Sequence, residues 1–399
     1  MKNFVFISPH FPDHFWKFCI SLKNHGYNIL GIGDALYEEI PDECKFALTE
    51  YYCCSQMDNL ENEIKALEYF KAKYGEFAYL ESNNEYWLRK DGQLRDKFNI
   101  KSGFNHEEIS RLILKSNQKE YYSRAGVKCA RSIVSKDIEE LKKFVADVNY
   151  PIFAKPNCGV GSQNTFKINN DLDLELFTKK IRDGVEYIFE EFIHGKVISY
   201  DGICNNNSEV IFAVEHIFLE NNAEVVDSEL DDMYYCLPQV DAQLDEIGRR
   251  CVKEFGLRNR FFHLEFFILE SDHPYLGKKG TMIPLEANLR PAGGYTTDMI
   301  NFSQSTSCYD IYADVLDNGF TTVRLDNEKF YCVSSSRRDK YHYLHSNDEI
   351  IEKYRFNLCM VGTFPKVLSD DMGDSYYMAK FKIEAEVFEF DEFVRTKKD

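Results

Sequence analysis

His263-Leu264-Glu265-Phe266, followed further on by Ile283-Pro284-Leu285-Glu286-Ala287-Asn288-Leu289-Arg290-Pro291, sets polar groups into two short apolar runs. Both runs read as strands, Phe261 to Leu269 and Met282 to Ala287, and a period of two puts Glu286, Asn288 and Arg290 on one face. Two carboxylates, Glu265 and Glu286, and the carboxamide of Asn288 suit Mg²⁺. That hard cation takes a few protein oxygens and leaves its other positions to water and nucleotide phosphates. The guanidinium of Arg290 would fork onto the same phosphates and stabilise charge that develops during transfer. A strand with solvent-facing acids is the better account of Glu265 taken alone, because His263 beside it is a polar partner. It accounts poorly for Glu286, Asn288 and Arg290 together, since they share an apolar strand that runs into Pro291 and the turn glycines Gly293 and Gly294.

The surroundings of these strands are those of an ordinary globular chain. At 399 residues, 44% hydrophobic and 29% charged, it has room for two or three domains with sizeable cores. A formal net charge of -18 argues against a nucleic-acid or anionic-membrane surface, since both are held by Lys and Arg. The 12 cysteines contain no Cys-x-x-Cys pair and read as free, mostly buried thiols. Phe4 to Ile7 is too short for a signal peptide and no segment has the length of a membrane span, so the expected location is the cytoplasm.

Taken in order, Phe4 to Ile7, a helical pattern ending at Gly26, and Tyr27 to Ile32 give a β-α-β alternation that predicts a parallel sheet ending near residue 100. Gly31-Ile32-Gly33 lacks the third glycine of a dinucleotide fingerprint. Helical periodicity then runs from Ser110 to Arg124, with Lys115 inside it, and a second helix from Asp137 to Val148. The strand Pro151 to Pro156 carries Lys155 and opens onto Asn157-Cys158-Gly159-Val160-Gly161-Ser162-Gln163-Asn164-Thr165. A glycine-bearing loop between two strands can lay backbone N–H groups over phosphates while a lysine supplies charge. Alone it is more readily a hairpin turn than a flap, and it matches neither a Walker loop nor a dinucleotide fingerprint. Tyr187 to Ile193 is an apolar strand, and such a strand can hold a base by its backbone, one carbonyl and an N–H two residues later meeting the edge. An ordinary core strand with an exposed Glu190-Glu191 pair explains it locally as well. Strands at Val197 to Cys204 and Glu209 to His216, a helix Asp241 to Phe255 and a helix Cys308 to Leu316 follow. The alternating tail Glu384 to Phe393 reads as an edge strand.

Lysine, flap lysine, hinge and Glu-x-Asn-x-Arg-Pro, in that order, resemble the ATP-grasp superfamily, within it the carboxylate–amine ligases related to biotin carboxylase and D-alanine–D-alanine ligase. The resemblance covers roughly residues 101 to 310. It implies α/β and α+β architecture: an ATP-grasp fold of two α+β lobes clamping ATP, preceded by a parallel-sheet, Rossmann-like domain. The implied division is 1–100 for that first domain, 101–187 for the small lobe with the flap, and 188–399 for the large lobe with the metal site and a C-terminal extension. It assigns nucleotide binding to Lys115, Lys155, Gly161, Ser162, Glu190, Glu191 and Ile193, metal binding to Glu265, Glu286 and Asn288, and catalysis to Arg290. The cofactors it implies are ATP and Mg²⁺, with Mn²⁺ as the alternative ion, and the partners are a small-molecule carboxylate and amine, with homodimerisation left open. One departure is Val197, which stands where the family often has an acid for the ribose hydroxyls. The expected reaction is ligation through an acyl phosphate. A phosphotransferase on the same fold, or a nucleotide-binding regulator that has lost catalysis, are the alternatives.

Overall fold

The computed structural model describes residues 1–159, 164–181, 184–219 and 230–398. Its first sheet is the expected parallel one. Strands β1 (Lys2–Ile7), β2 (Tyr27–Gly33), β3 (Glu50–Cys53) and β4 (Phe77–Glu81) lie in the order β3-β2-β1-β4, with all pairs parallel. Phe4 to Ile7 is fully buried because helices cover both faces. Val5 and Ile7 pack with Ile64, Leu67 and Phe70 of the helix Leu60–Tyr74. Phe4 and Phe6 join Phe18 of the helix Trp16–Asn24 in a core shared with the large sheet. There the Phe18 ring meets Tyr309 at 4.7 Å and Phe261 at 5.5 Å, both edge-on.

The second sheet is small and antiparallel. It is built from β5 (Ser132–Val134), β6 (Ile152–Pro156), β7 (Phe166–Ile168) and β8 (Tyr187–Glu191) in the order β5-β8-β6-β7. The division expected at residue 187 meets the head of β8, and the structure keeps that whole strand in the small sheet. The helix Ile138–Val148, capped by the Asp137 side chain, covers one face through Leu141, Val145 and Val148.

The third sheet has eight strands, β9 (Gly195–Cys204), β10 (Val210–Phe218), β11 (Met233–Cys236), β12 (Arg260–Leu269), β13 (Met282–Asn288), β14 (Tyr331–Arg337), β15 (Leu358–Thr363) and β16 (Ser375–Phe381). Their order is β13-β12-β9-β10-β11-β14-β16-β15. The helix Ala242–Glu254 lies so close on β9 that a Cβ at Gly248 would sit 2.2 Å from the Tyr200 ring, so glycine is required there. Two expectations are corrected. Residues 384–393 are not an edge strand but part of the helix Glu384–Arg395, which buries Val387, Phe390 and Val394 at helical spacing and leaves the edge to β15. The helix expected from Ser110 to Arg124 is two helices, His106–Leu112 and Lys115–Arg124, broken just before Lys115. All 12 cysteines are free thiols, and among the described residues no helix is long and apolar enough to cross a membrane.

Candidate active site

β13 is the edge strand of the large sheet, which is why it tolerates Pro284, whose missing N–H would break a central ladder. Its pairing with β12 puts Glu265 opposite Glu286 and His263 opposite Asn288, then slips so that Phe266 faces Pro284. Leu285 is therefore the extra residue of a bulge, a device that re-aims neighbouring groups beside functional sites. Its carbonyl lies 3.4 Å from Nζ of Lys155.

The free edge of β13 is occupied by a side chain. Gln118 accepts from Ala287 N–H at 3.0 Å and donates to the Ala287 carbonyl at 2.8 Å, pairing like a further strand. This anchors the helix Lys115–Arg124 to the acidic strand and sets its first turn. Lys115, 8% exposed, then reaches Glu286 at 3.1 Å, and Lys119, one turn on, reaches Glu190 at 2.5 Å. The break before Lys115 has a tertiary cause. Asn157 supplies its side-chain oxygen to Ser116 N–H and its carbonyl to Lys115 N–H, both at 2.9 Å, so the flap base caps this helix. Lys115 Nζ also donates to the Gly159 carbonyl at 3.0 Å.

Lys155, on β6, meets Glu190 at 2.7 Å. Glu190 is thus held between two lysines. Burial pushes its carboxyl up, Lys119 and Lys155 outweigh burial, and the result is a fall to about 2. Burial lowers the Lys115 ammonium, but Glu286 overrides it and leaves it raised. Glu265 accepts from His263 Nε2 at 2.8 Å and stands 3.5 Å from the Asn288 amide. Burial opposes its ionisation, yet His263, Arg290 and Lys155 keep its carboxyl below the usual range. Behind it, His263 Nδ1 contacts Asp201 at 2.6 Å and Asp201 contacts His216 Nδ1 at 2.9 Å, a buried line running into the sheet.

Arg290 departs from the expected alternation. β13 ends at Asn288, so Arg290 is placed by the bend that follows, with Nη1 donating to the Pro291 carbonyl at 2.6 Å and Nε 3.7 Å from Glu85. At the expected hinge, Glu191 N–H is taken by the Arg131 carbonyl at 2.9 Å, and its carboxylate by Arg131 and His273. Ile193 is buried against Leu269 and Ile283. Val197 is buried in β9, between Phe218 and Phe267 on the flanking strands. Gly161 and Ser162 lie outside the described residues.

Two carboxylates set opposite each other, Glu265 and Glu286, with the carboxamide of Asn288 on the same strand, are a donor set that fits Mg²⁺, which takes one or two carboxylates and shares the rest of its shell with phosphates and water. Lys119 and Gln118 were missed from sequence. Lys119 had a signal, lying one helical turn beyond Lys115, whereas Glu85 and Asp201 had none, being brought in from a distant turn and a distant strand.

With three sheets and this convergence of lysines and carboxylates, the chain has the ATP-grasp fold, and residues 124–253 match the model of the ATP-grasp domain. Among individual proteins it is 24% identical over 273 residues to D-alanine–D-alanine ligase B of Clostridium perfringens, a span of 63% of this chain and 82% of that one. It superposes on the L-amino acid ligase of Bacillus licheniformis with a TM-score of 0.72 at 13% identity, over 98% of this chain and 96% of that one. The ADP complex of N5-carboxyaminoimidazole synthetase from Staphylococcus aureus gives 0.71 at 17% identity, over 99% and 97%. The biotin carboxylase domain dimer of the Hydrogenobacter thermophilus 2-oxoglutarate carboxylase, holding MgADP and bicarbonate, gives 0.71 at 15% identity, over 99% and 90%.

Proposed function

We propose that the protein is a cytoplasmic ATP-dependent ligase that joins the carboxylate of a small molecule to an amine through an acyl phosphate, releasing ADP and phosphate. One observation carries this: Lys115 and Lys155, from different elements, converge on the β12–β13 pair, 3.1 Å from Glu286 and 3.4 Å from the Leu285 carbonyl, with Arg290 at the strand's exit. Lys115, Lys155 and the flap bearing Gly161 and Ser162 bind the triphosphate, Lys115 exchanging Glu286 for phosphate oxygens while Lys155 stays beside Glu190. The backbone at Glu191 and Ile193 holds the adenine, and Glu190 keeps Lys155 oriented. Glu265, Glu286 and Asn288 hold Mg²⁺, or Mn²⁺ in its place, which when bound neutralises charge on the β- and γ-phosphates. Arg290 steadies the γ-phosphoryl as it passes to the carboxylate, then the tetrahedral oxyanion as the amine attacks. The relatives support a nucleotide-dependent ligase. The acidic surface fits small-molecule partners rather than nucleic acid or membrane, and the dimeric relative makes a homodimer the assembly to test.

The test is a screen of Mg-ATP with pooled amino acids, small acids and amines, with and without hydroxylamine. A hydroxamate should form in step with ADP, and Arg290→Ala should slow it by roughly 10²- to 10³-fold, as for loss of an oxyanion donor. AMP as sole nucleotide product overturns the acyl-phosphate reading. ADP with a stable phosphate ester replaces it by phosphotransfer, and no turnover leaves a nucleotide-binding regulator.

A further inference from the structure

The base of the flap is also met by a cation from the N-terminal module. Arg89 stands in the first turn of the helix Leu88–Phe98, and its Nη2 lies 3.8 Å from Sγ of Cys158. Lys115 reaches the next residue, donating to the Gly159 carbonyl at 3.0 Å. Two cations from different modules therefore meet consecutive residues of one loop. What balances them differs. Lys115 faces Glu286 at 3.1 Å, Arg290 faces Glu85 at 3.7 Å, and Lys119 and Lys155 share Glu190 at 2.5 and 2.7 Å. Among the described residues Arg89 contacts only that thiol, a weak acceptor. Its guanidinium keeps a fork of N–H donors free for a phosphate or carboxylate.

We propose that Arg89 is a further nucleotide-binding residue, which forks onto the terminal phosphate of ATP; this rests on the nucleotide-binding part of the reading above. Charge decides that an anion belongs here. Each other cation of the site is set against a carboxylate of the chain, so Arg89 brings the positive charge that the described residues leave unbalanced at the phosphate loop. Position decides which phosphate. Glu85, four residues before Arg89 on the turn that leads into the same helix, faces Arg290, so this side of the N-terminal module borders the end of the site where the γ-phosphoryl is transferred. Between Arg290 and Arg89 the terminal phosphate is held by the large sheet on one side and by the N-terminal module on the other. ADP lacks that group and makes no use of Arg89, so the residue favours the substrate nucleotide over the product.

The experiment measures dissociation constants by calorimetry for the parent, Arg89→Ala and Arg89→Lys, with Mg²⁺ and either ADP or the β,γ-imido analogue of ATP, which is not hydrolysed. Arg89 is exposed, so both variants should melt as the parent does without nucleotide. Arg89→Ala should bind the triphosphate analogue about 10- to 100-fold more weakly, the worth of a charge-assisted hydrogen bond, and should bind ADP as the parent does. Arg89→Lys should recover part of the loss, since an ammonium restores the charge without the fork. An unchanged affinity for the analogue in Arg89→Ala overturns the proposal while the nucleotide reading stands. Equal losses for ADP and the analogue overturn it too, because Arg89 would then act on the loop through Cys158 and not on the terminal phosphate. If the parent binds neither nucleotide, the nucleotide reading fails first and this proposal with it.

Discussion

Asp201 is 2% exposed and accepts from Ser199, His216 and His263, so three donors, two of them imidazoles, converge on one carboxylate inside the large sheet. Burial pulls the His263 imidazole down, but Asp201 and Glu265 outweigh it and raise it to about 9. Burial likewise opposes His216, which Cys236 and Asp201 raise to about 10. Burial works against Asp201 as well, and the two histidines still hold it well below the usual carboxylate range. A histidine raised above its unfolded value of about 6.5 contributes stability that is whole below that pH and lost as pH climbs through its folded value. A depressed carboxyl contributes stability that is present above its unfolded value of about 3.9 and lost as pH falls below it. These groups together are therefore most stabilising between about pH 4 and pH 6.5, and their contribution drains away toward pH 9 to 10. Urea unfolding of the parent should weaken across that alkaline range. Asp201→Asn should be less stable at pH 7 by about 3–5 kcal/mol, as when one partner of a buried pair is removed, and its alkaline slope should be flatter. Parallel pH profiles for the two proteins would refute this account of the cluster.

The helix Lys115–Arg124 carries the site at the scale of an element, and it does so through a contact that no local pattern announces. Gln118 fills the free edge of β13, and the same helix face then presents Lys115 and Lys119. Gln118→Ala should leave a buried N–H and carbonyl unpaired, costing about 1–3 kcal/mol of stability in denaturant unfolding. It should also shrink the Mg-ATP shift in melting temperature, because Lys115 loses its register against Glu286. Loss of stability with a full Mg-ATP shift would show that the helix is positioned by the Asn157 cap alone. The same element marks the limit of what could be read from sequence. The strands around Glu265 and Glu286 were legible because each is an apolar run of strand length with a few polar groups set into it. The break before Lys115 was not, because the capping Asn157 comes from the loop after β6, about forty residues further along the chain. Helix Glu384–Arg395 was misread for a related reason: Phe388, Phe390 and their acidic neighbours satisfy a period of two locally, and only packing of Val387, Phe390 and Val394 against β14 and β16 selects the helix. Glu85 and Asp201 were silent, since nothing beside them in the chain distinguishes them from solvent-facing or core acids.

At the scale of the molecule, the N-terminal module is joined to the large sheet by more than apolar contact. Glu81, at the end of β4, accepts from Arg95 Nη2 at 2.9 Å and from Arg260 Nη2, on β12, at 3.1 Å. Both guanidiniums are almost wholly buried, at 2% and 1% exposure. Burial works against the Glu81 charge, but Arg260 and Arg95 keep its carboxyl lowered, so one carboxylate serves two cations from two modules. Removing it leaves both cations in the interior uncompensated, which costs far more than the pair contributes when intact. Glu81→Gln should therefore lose about 3–5 kcal/mol of unfolding free energy. Because the ion cluster and the Phe18–Phe261 contact lie on one interface, the modules should unfold together. The two tryptophans, Trp16 and Trp87, both belong to the N-terminal module, so their fluorescence reports that module while far-ultraviolet circular dichroism reports the whole chain. In the parent the two signals should melt at one temperature, and in Glu81→Gln both should move down together. If fluorescence shifts while the circular dichroism transition stays in place, the N-terminal module melts by itself, and Glu81 stabilises that module rather than its union with the strands that carry Glu265 and Glu286.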